Sequence, residues 1–159
     1  MFGGLFAIIP VSFGMTHLIG ISAARYWDWI GAAILAGGPI IRLGCVFNGC
    51  CCGRQTTGWL GTVSHDVWYT SRQRIPVQLL EIGWWLLGGA IYLGGRTLHM
   101  PVGSYGLGVL VWYGFGRFWL EPLRESPDLV WGRWRLNQLV AAALVLIGGG
   151  VLAIRLGIS

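Results

Sequence analysis

Five apolar stretches, at about 1–22, 29–49, 76–95, 101–120 and 136–154, alternate with shorter polar segments along the chain. A helix needs about 20 mostly apolar residues to cross a bilayer core, so each stretch predicts a transmembrane helix. The polar residues collect in two loops, at about 50–75 and about 121–135. With five spans these loops fall on the same side, and the other side receives only Arg25, Arg96 and Arg155. The expected architecture is an all-α, polytopic membrane helical bundle of about five helices, with residues 1–159 forming a single integral membrane domain.

Composition agrees with the pattern. The chain is 55% hydrophobic and only 11% charged, with a mean hydropathy of +0.64, whereas soluble domains carry roughly 25% charged residues. A water-soluble globule is therefore excluded. The 27 glycines suit membrane helices that pack backbone to backbone. All eleven basic residues are Arg, and the net charge of +5 points to anionic membrane lipid rather than to nucleic acid. Arg binds phosphate as a planar two-pronged donor, which Lys cannot do. The first apolar stretch starts at Met1 without a cationic lead, so it predicts a retained span rather than a signal peptide. Trp27, Trp29, Trp59, Trp68, Trp131 and Trp134 flank the spans and predict a headgroup-level belt.

Candidate chemistry changes this picture at a few positions. Arg42 and Arg117 each end a long apolar run, where an unpaired guanidinium costs a few kcal/mol and is usually paired or functional. Arg117, Glu121 and Arg124 follow at i, i+4 and i+7, on one face if helical, with Tyr113 one turn earlier. Pro122 is expected to bend or end that helix. Gln78 and Glu81 lie one turn apart just after Pro76, which suits the start of a helix. Helix-start compensation and a functional role are both open for Glu81. Cys45, Cys50, Cys51 and Cys52 lack the spacing of a paired-cysteine zinc motif. Their expected role is packing or a Cys45 disulfide, with redox chemistry second and a metal site third; no metal ligand is assigned. His17 and His99 stand alone, and there is no Ser/His/Asp set or phosphate loop.

These residues together resemble a known family. Arg42-Leu-Gly-Cys-Val-Phe-Asn48-Gly-Cys-Cys-Cys-Gly53 is similar to the signature of prolipoprotein diacylglyceryl transferase, Arg-x-Gly-Asn-Phe-x-Asn-Gly-Glu-x-x-Gly. Arg74-Ile-Pro-Val-Gln-Leu-Leu-Glu81 resembles its Arg-His-Pro-x-Gln-Leu-Tyr-Glu segment, and Tyr113-Gly-Phe-Gly-Arg117-Phe-Trp-Leu-Glu121-Pro-Leu-Arg124 its Tyr-Gly-x-x-Arg-Phe-x-x-Glu-x-x-Arg helix. Phe2-Gly-Gly-Leu5 and Leu136-Asn-Gln138 match in the same order.

The resemblance implies transfer of the diacylglyceryl group of phosphatidylglycerol to the lipobox cysteine thiol of a prelipoprotein, in the bacterial plasma membrane. It implies Arg42, Arg117 and Glu121 as catalytic residues, and Asn48, Gly53, Gln78, Glu81, Tyr113 and Arg124 as substrate-binding residues. Membrane lipids and the prelipoprotein signal peptide are the implied partners, with no nucleic acid and no cofactor. The site would face the outer side. A raw Arg count favours the cytoplasm for the same loops, unless those arginines serve the site. Phe2, Cys45, Cys50, Ile75 and Leu80 depart from the family pattern at polar positions, and spans that precede the Gly-Gly-Leu motif in the family have no counterpart in these residues. Two alternatives follow: a phospholipid-binding membrane protein without turnover, and a membrane thiol oxidoreductase using Cys45 and Cys50–Cys52.

Overall fold

The computed structural model of the chain describes residues 2–65, 71–98, 100–125, 129–131 and 134–158. Met1, Trp68 and His99, all considered above, lie outside them. Five helices form: α1 (Phe2–Ile19), α2 (Ala23–Phe47), α3 (Val77–Gly95), α4 (Ser104–Leu120) and α5 (Leu136–Ile158). They fall on the five apolar stretches, because an uninterrupted apolar run can satisfy its backbone polar groups in lipid only by internal helical bonding. The largest boundary difference is at α2, which starts six residues before the apolar run, at Ala23. Among the described residues three helices, α2, α3 and α5, are long and apolar enough to cross a membrane, against the five spans expected.

Burial is inverted relative to a soluble protein. Among the described residues the buried side chains include Ser12, Thr16, Arg74, Gln78, Glu81, Ser104, Glu121 and Gln138, but of hydrophobic ones only Leu35, Ile75, Val77, Val109 and Ala141. In α1, Ser12 and Thr16 turn inward one turn apart while Val11, Phe13, Met15 and Leu18 are exposed. Water would penalise that arrangement by about 25 cal/mol for each Å² of exposed apolar surface. Lipid does not, and the arrangement is that of a helical membrane protein.

The loops depart from the all-α expectation. β1 (Thr62–His65) pairs antiparallel with β2 (Ser71–Arg74), and β3 (Leu129–Trp131) pairs with β4 (Trp134–Arg135). These strands are two to four residues long, too short to leave a periodic signal in the sequence.

Helices α2 to α5 pack together, and α1 lies against α2. Glycines set the close contacts. A Cβ at Gly116 would fall inside the Trp84 indole, and one at Gly88 inside that of Trp112. The two indoles stack with centroids 4.1 Å apart and planes 10° from parallel. Each indole N–H donates to the other residue's carbonyl at 3.2 Å. This reciprocal pair locks α3 to α4.

At the opposite end of α4, Asp28 of α2 caps the helix. Its carboxylate accepts from the Gly103 and Gly106 amides, both at 2.7 Å, and Gly103 takes the left-handed φ of 93° that the turn requires. Anionic caps satisfy free amides and oppose the helix dipole. Asp28→Ala should therefore destabilise the bundle by about 1–2 kcal/mol, measured as a lower midpoint of thermal unfolding in detergent. An unchanged midpoint would contradict this role.

Candidate functional site

The polar ends of α2, α3, α4 and α5 converge on a buried ion cluster. Pro76 stands at the N-cap of α3 and starts the helix so that Gln78 and Glu81 both turn inward, each 5% exposed. Glu81 is the hub. It pairs with the Arg42 Nε, with Arg117 Nη1 at 3.6 Å and with Arg124 Nη2 at 3.2 Å. Three guanidinium groups from different parts of the chain thus share one carboxylate.

Arg117 also reaches Glu121 at 3.2 Å, the i,i+4 pair expected from the sequence. Glu121 is the most buried charged residue described, at 1% exposure, and accepts from the Asn137 amide at 2.8 Å. Pro122 ends α4 as anticipated, and Glu121–Leu123 forms a 3₁₀ turn. Beyond that turn Arg124 reaches Glu81, the carboxylate that Arg117 also meets. Arg135 donates to the Glu121 carbonyl at 2.6 Å and the Arg124 carbonyl at 2.9 Å, holding the turn closed. At the edge, Arg74 pairs with Glu125.

Charge accounting is informative here. Arg42, Arg117 and Arg124 oppose Glu81 and Glu121, which leaves one positive charge. Arg135, bonded to carbonyls, adds a second. A buried ion costs several kcal/mol unless it is paired, so a surplus of cations in a half-buried cluster favours an anion as the missing member. The side chains of Arg42 and Arg124 keep 17% and 13% exposure, enough to admit one.

The remaining predicted residues are placed differently. Gly53 is buried, and its amide donates to the Ile75 carbonyl at 3.0 Å. A Cβ there would press on that carbonyl and on Val77, so glycine lets residues 53–54 run between Ile75 and the Leu123–Arg124 turn, where the Arg54 amide bonds the Leu123 carbonyl at 2.9 Å. Asn48 is exposed at the C-cap of α2, outside the ion cluster. Tyr113 stacks on Trp85 at 5.8 Å, one turn before Arg117. Gln78 donates to the Cys50 carbonyl at 2.9 Å and to Cys52 Sγ at 3.2 Å, which fixes the cysteine loop to α3. Arg135 and Asn137 were absent from the predicted site. The signal for Asn137 was the Asn-Gln pair at the head of an otherwise apolar span.

The cysteines cluster beside Arg42. The sulfurs of Cys45, Cys50 and Cys51 lie within 4.8 Å of one another, and none is in a disulfide. Arg42 Nη1 is 3.9 Å from Cys45 Sγ. Desolvation, with hydrogen bonds to Cys45 and Cys51, pushes the Cys50 thiol up from 9.0 to about 11.

Comparison with known proteins agrees with this geometry. The family model described as prolipoprotein diacylglyceryl transferase matches residues 1–154. Three similar proteins all carry the name phosphatidylglycerol–prolipoprotein diacylglyceryl transferase. One from Listeria monocytogenes serotype 4b is 25% identical over 98% of this chain and 58% of its own length. One from Symbiobacterium thermophilum is 31% identical over 80% of this chain and 51% of its own. One from Listeria monocytogenes serotype 4a is 35% identical over 50% of this chain and 28% of its own. The chain spans about half the length of the curated relatives that it matches across most of its residues. With a family match over residues 1–154, the chain belongs to the prolipoprotein diacylglyceryl transferase family.

Proposed function

We propose that this chain transfers the diacylglyceryl group of phosphatidylglycerol to the lipobox cysteine thiol of a prelipoprotein. The observation that carries the reading is the buried cluster of Arg42, Arg117 and Arg124 around Glu81 and Glu121, with its surplus of positive charge. In the reaction the acceptor sulfur bonds to the glycerol carbon while the carbon–oxygen bond to phosphate breaks. The electron pair stays on the phosphate oxygen, and the thiol proton ends on the released glycerol phosphate. Negative charge concentrates on the leaving phosphate, where preorganised cations lower the barrier.

Arg42 and Arg117 bind that phosphate, and Arg124 supports them. Glu81 holds the three arginines together, and Glu121, wholly buried, positions Arg117. Gln78 anchors the loop carrying Asn48 and Gly53, and Tyr113, stacked on Trp85, stands one turn before Arg117. An apolar cavity of about 200 Å³ lies between α2, α3, α4 and α5, lined by Leu35, Tyr92, Val109, Trp112 and Leu152 among others. Trp112 and Val109 stand five and eight residues before Arg117 on α4, or about 8–12 Å along the helix. A headgroup at the arginines can therefore extend an acyl chain toward that cavity.

The same reading places five spans in a bacterial plasma membrane, as a single domain over residues 1–159, with the loops at about 50–75 and 121–135 outside. The arginines that make the raw count favour the cytoplasm are engaged elsewhere: Arg42, Arg74, Arg117 and Arg124 in ion pairs, and Arg135 on carbonyls. They do not act as free topological anchors.

Purified protein, phosphatidylglycerol and a lipobox peptide test the reading. Mass spectrometry should find the diacylglyceryl thioether on the peptide together with stoichiometric glycerol phosphate. A specific observation favours a second reading, phospholipid binding without turnover. Ile75 is buried and apolar, and Cys50 is a thiol, where the family pattern has His and Glu. Saturable phosphatidylglycerol binding without glycerol phosphate release would establish that reading and end the first.

A further inference from the structure

We propose that Cys45, Cys50 and Cys51 form a binding site for one soft d¹⁰ metal cation, zinc or cuprous ion, beside the ion cluster. The spacing of these residues in the sequence does not predict a metal site. Their position in the fold does. Cys45 lies in the last turn of α2, and the chain then reverses through Gly49 and Cys51, both left-handed at φ 61°. Consecutive side chains ordinarily diverge. This reversal instead brings the sulfurs of Cys50 and Cys51 to the sulfur of Cys45, all within 4.8 Å.

Thiolate–zinc bonds are about 2.3 Å long, so sulfurs sharing one cation sit roughly 3.8 Å apart. The three thiols need to close by only about 1 Å to reach that spacing. A disulfide accounts for the convergence less well, because it joins two sulfurs and leaves the third unused, and adjacent cysteines bridge poorly. One cation engages all three. Soft thiolate ligands select zinc and cuprous ions over hard cations.

The surroundings match the charge of such a centre. Three thiolates around a divalent or monovalent cation leave a net negative charge, and the Arg42 guanidinium stands 3.9 Å from Cys45 Sγ to offset it. Cys51 is exposed and provides the route of entry. Cys52 is excluded from the set, since its sulfur faces the Gly49 carbonyl and the Gln78 amide. Binding releases the thiol protons to solvent, so affinity rises with pH.

The test uses the full chain in detergent, reduced and stripped of metal. Zinc is titrated against a chromophoric chelator, and cuprous ion is titrated anaerobically against a cuprous-specific chelator. One equivalent of one cation should bind with a dissociation constant below about 1 μM, and the arm that retains its metal identifies it. Cys45→Ser and Cys51→Ser should each weaken binding by at least about tenfold, while Cys52→Ser leaves it unchanged. Because Cys51 is exposed, its variant keeps the fold even where Cys45→Ser does not. Failure of both cations to bind, or equal loss in Cys52→Ser, would overturn the proposal, as would a native disulfide within the triad. Lipid transfer is not the readout, so the result is independent of the proposed activity.

Discussion

Arg117→Ala is expected to lower lipid transfer by at least 100- to 1000-fold while the protein still inserts as a helical bundle. The estimate follows from the cost of deleting one preorganised donor to a developing anion, about 10²–10³ in rate. Arg117 has two tasks that alanine cannot share: it faces the surplus-charge site, and it bridges Glu81 and Glu121 at 3.6 and 3.2 Å. Arg117→Lys separates them. A lysine keeps the charge but lacks the planar fork, so it should restore folding stability more fully than transfer. Transfer to a lipobox peptide, read beside thermal unfolding in detergent, distinguishes these effects. Wild-type rates in Arg117→Ala would remove the phosphate-binding role altogether.

Neutralising Glu81 should have the largest effect on stability. Glu81→Gln leaves Arg42, Arg117 and Arg124 without their shared counter-charge. Breaking buried pairs of this kind costs about 3–5 kcal/mol, or about 10 °C in unfolding midpoint for a chain of this size. The variant should also respond to lipid more strongly than the wild type. Its cluster carries one more unit of positive charge, so phosphatidylglycerol should raise its unfolding midpoint further than the zwitterionic phosphatidylcholine does. A variant as stable as wild type, or one indifferent to lipid charge, would show that Glu81 is not the hub.

The helices were legible in the sequence because each is written as a long, one-dimensional apolar run. The paired site was legible only where partners are close along the chain. Arg117–Glu121 follows from i,i+4 spacing, and the helix start that carries Gln78 and Glu81 from Pro76. Arg124–Glu81 was not legible, because the two residues lie 43 positions apart on different elements and only the packing of α3 against the end of α4 brings them together. Asp28 was hidden in the aromatic run Tyr26-Trp27-Asp28-Trp29, and its partners are amides of residues 103 and 106 that no side-chain pattern marks. The convergence of Cys45 with Cys50 and Cys51 depends on two left-handed residues, one of them a non-glycine position where sequence does not predict that conformation.

The reciprocal Trp84–Trp112 pair also fixes how the site can evolve. Glu81 stands three residues before Trp84, and Arg117 five after Trp112. With the two rings pinned, these distances along the chain act as a ruler. Inserting or deleting one residue in either interval would swing the charged side chain by about 100° around its helix and out of the cluster. Substitutions that keep the count are milder. Length between ring and charge, more than the identity of the residues in between, is what the lineage must conserve.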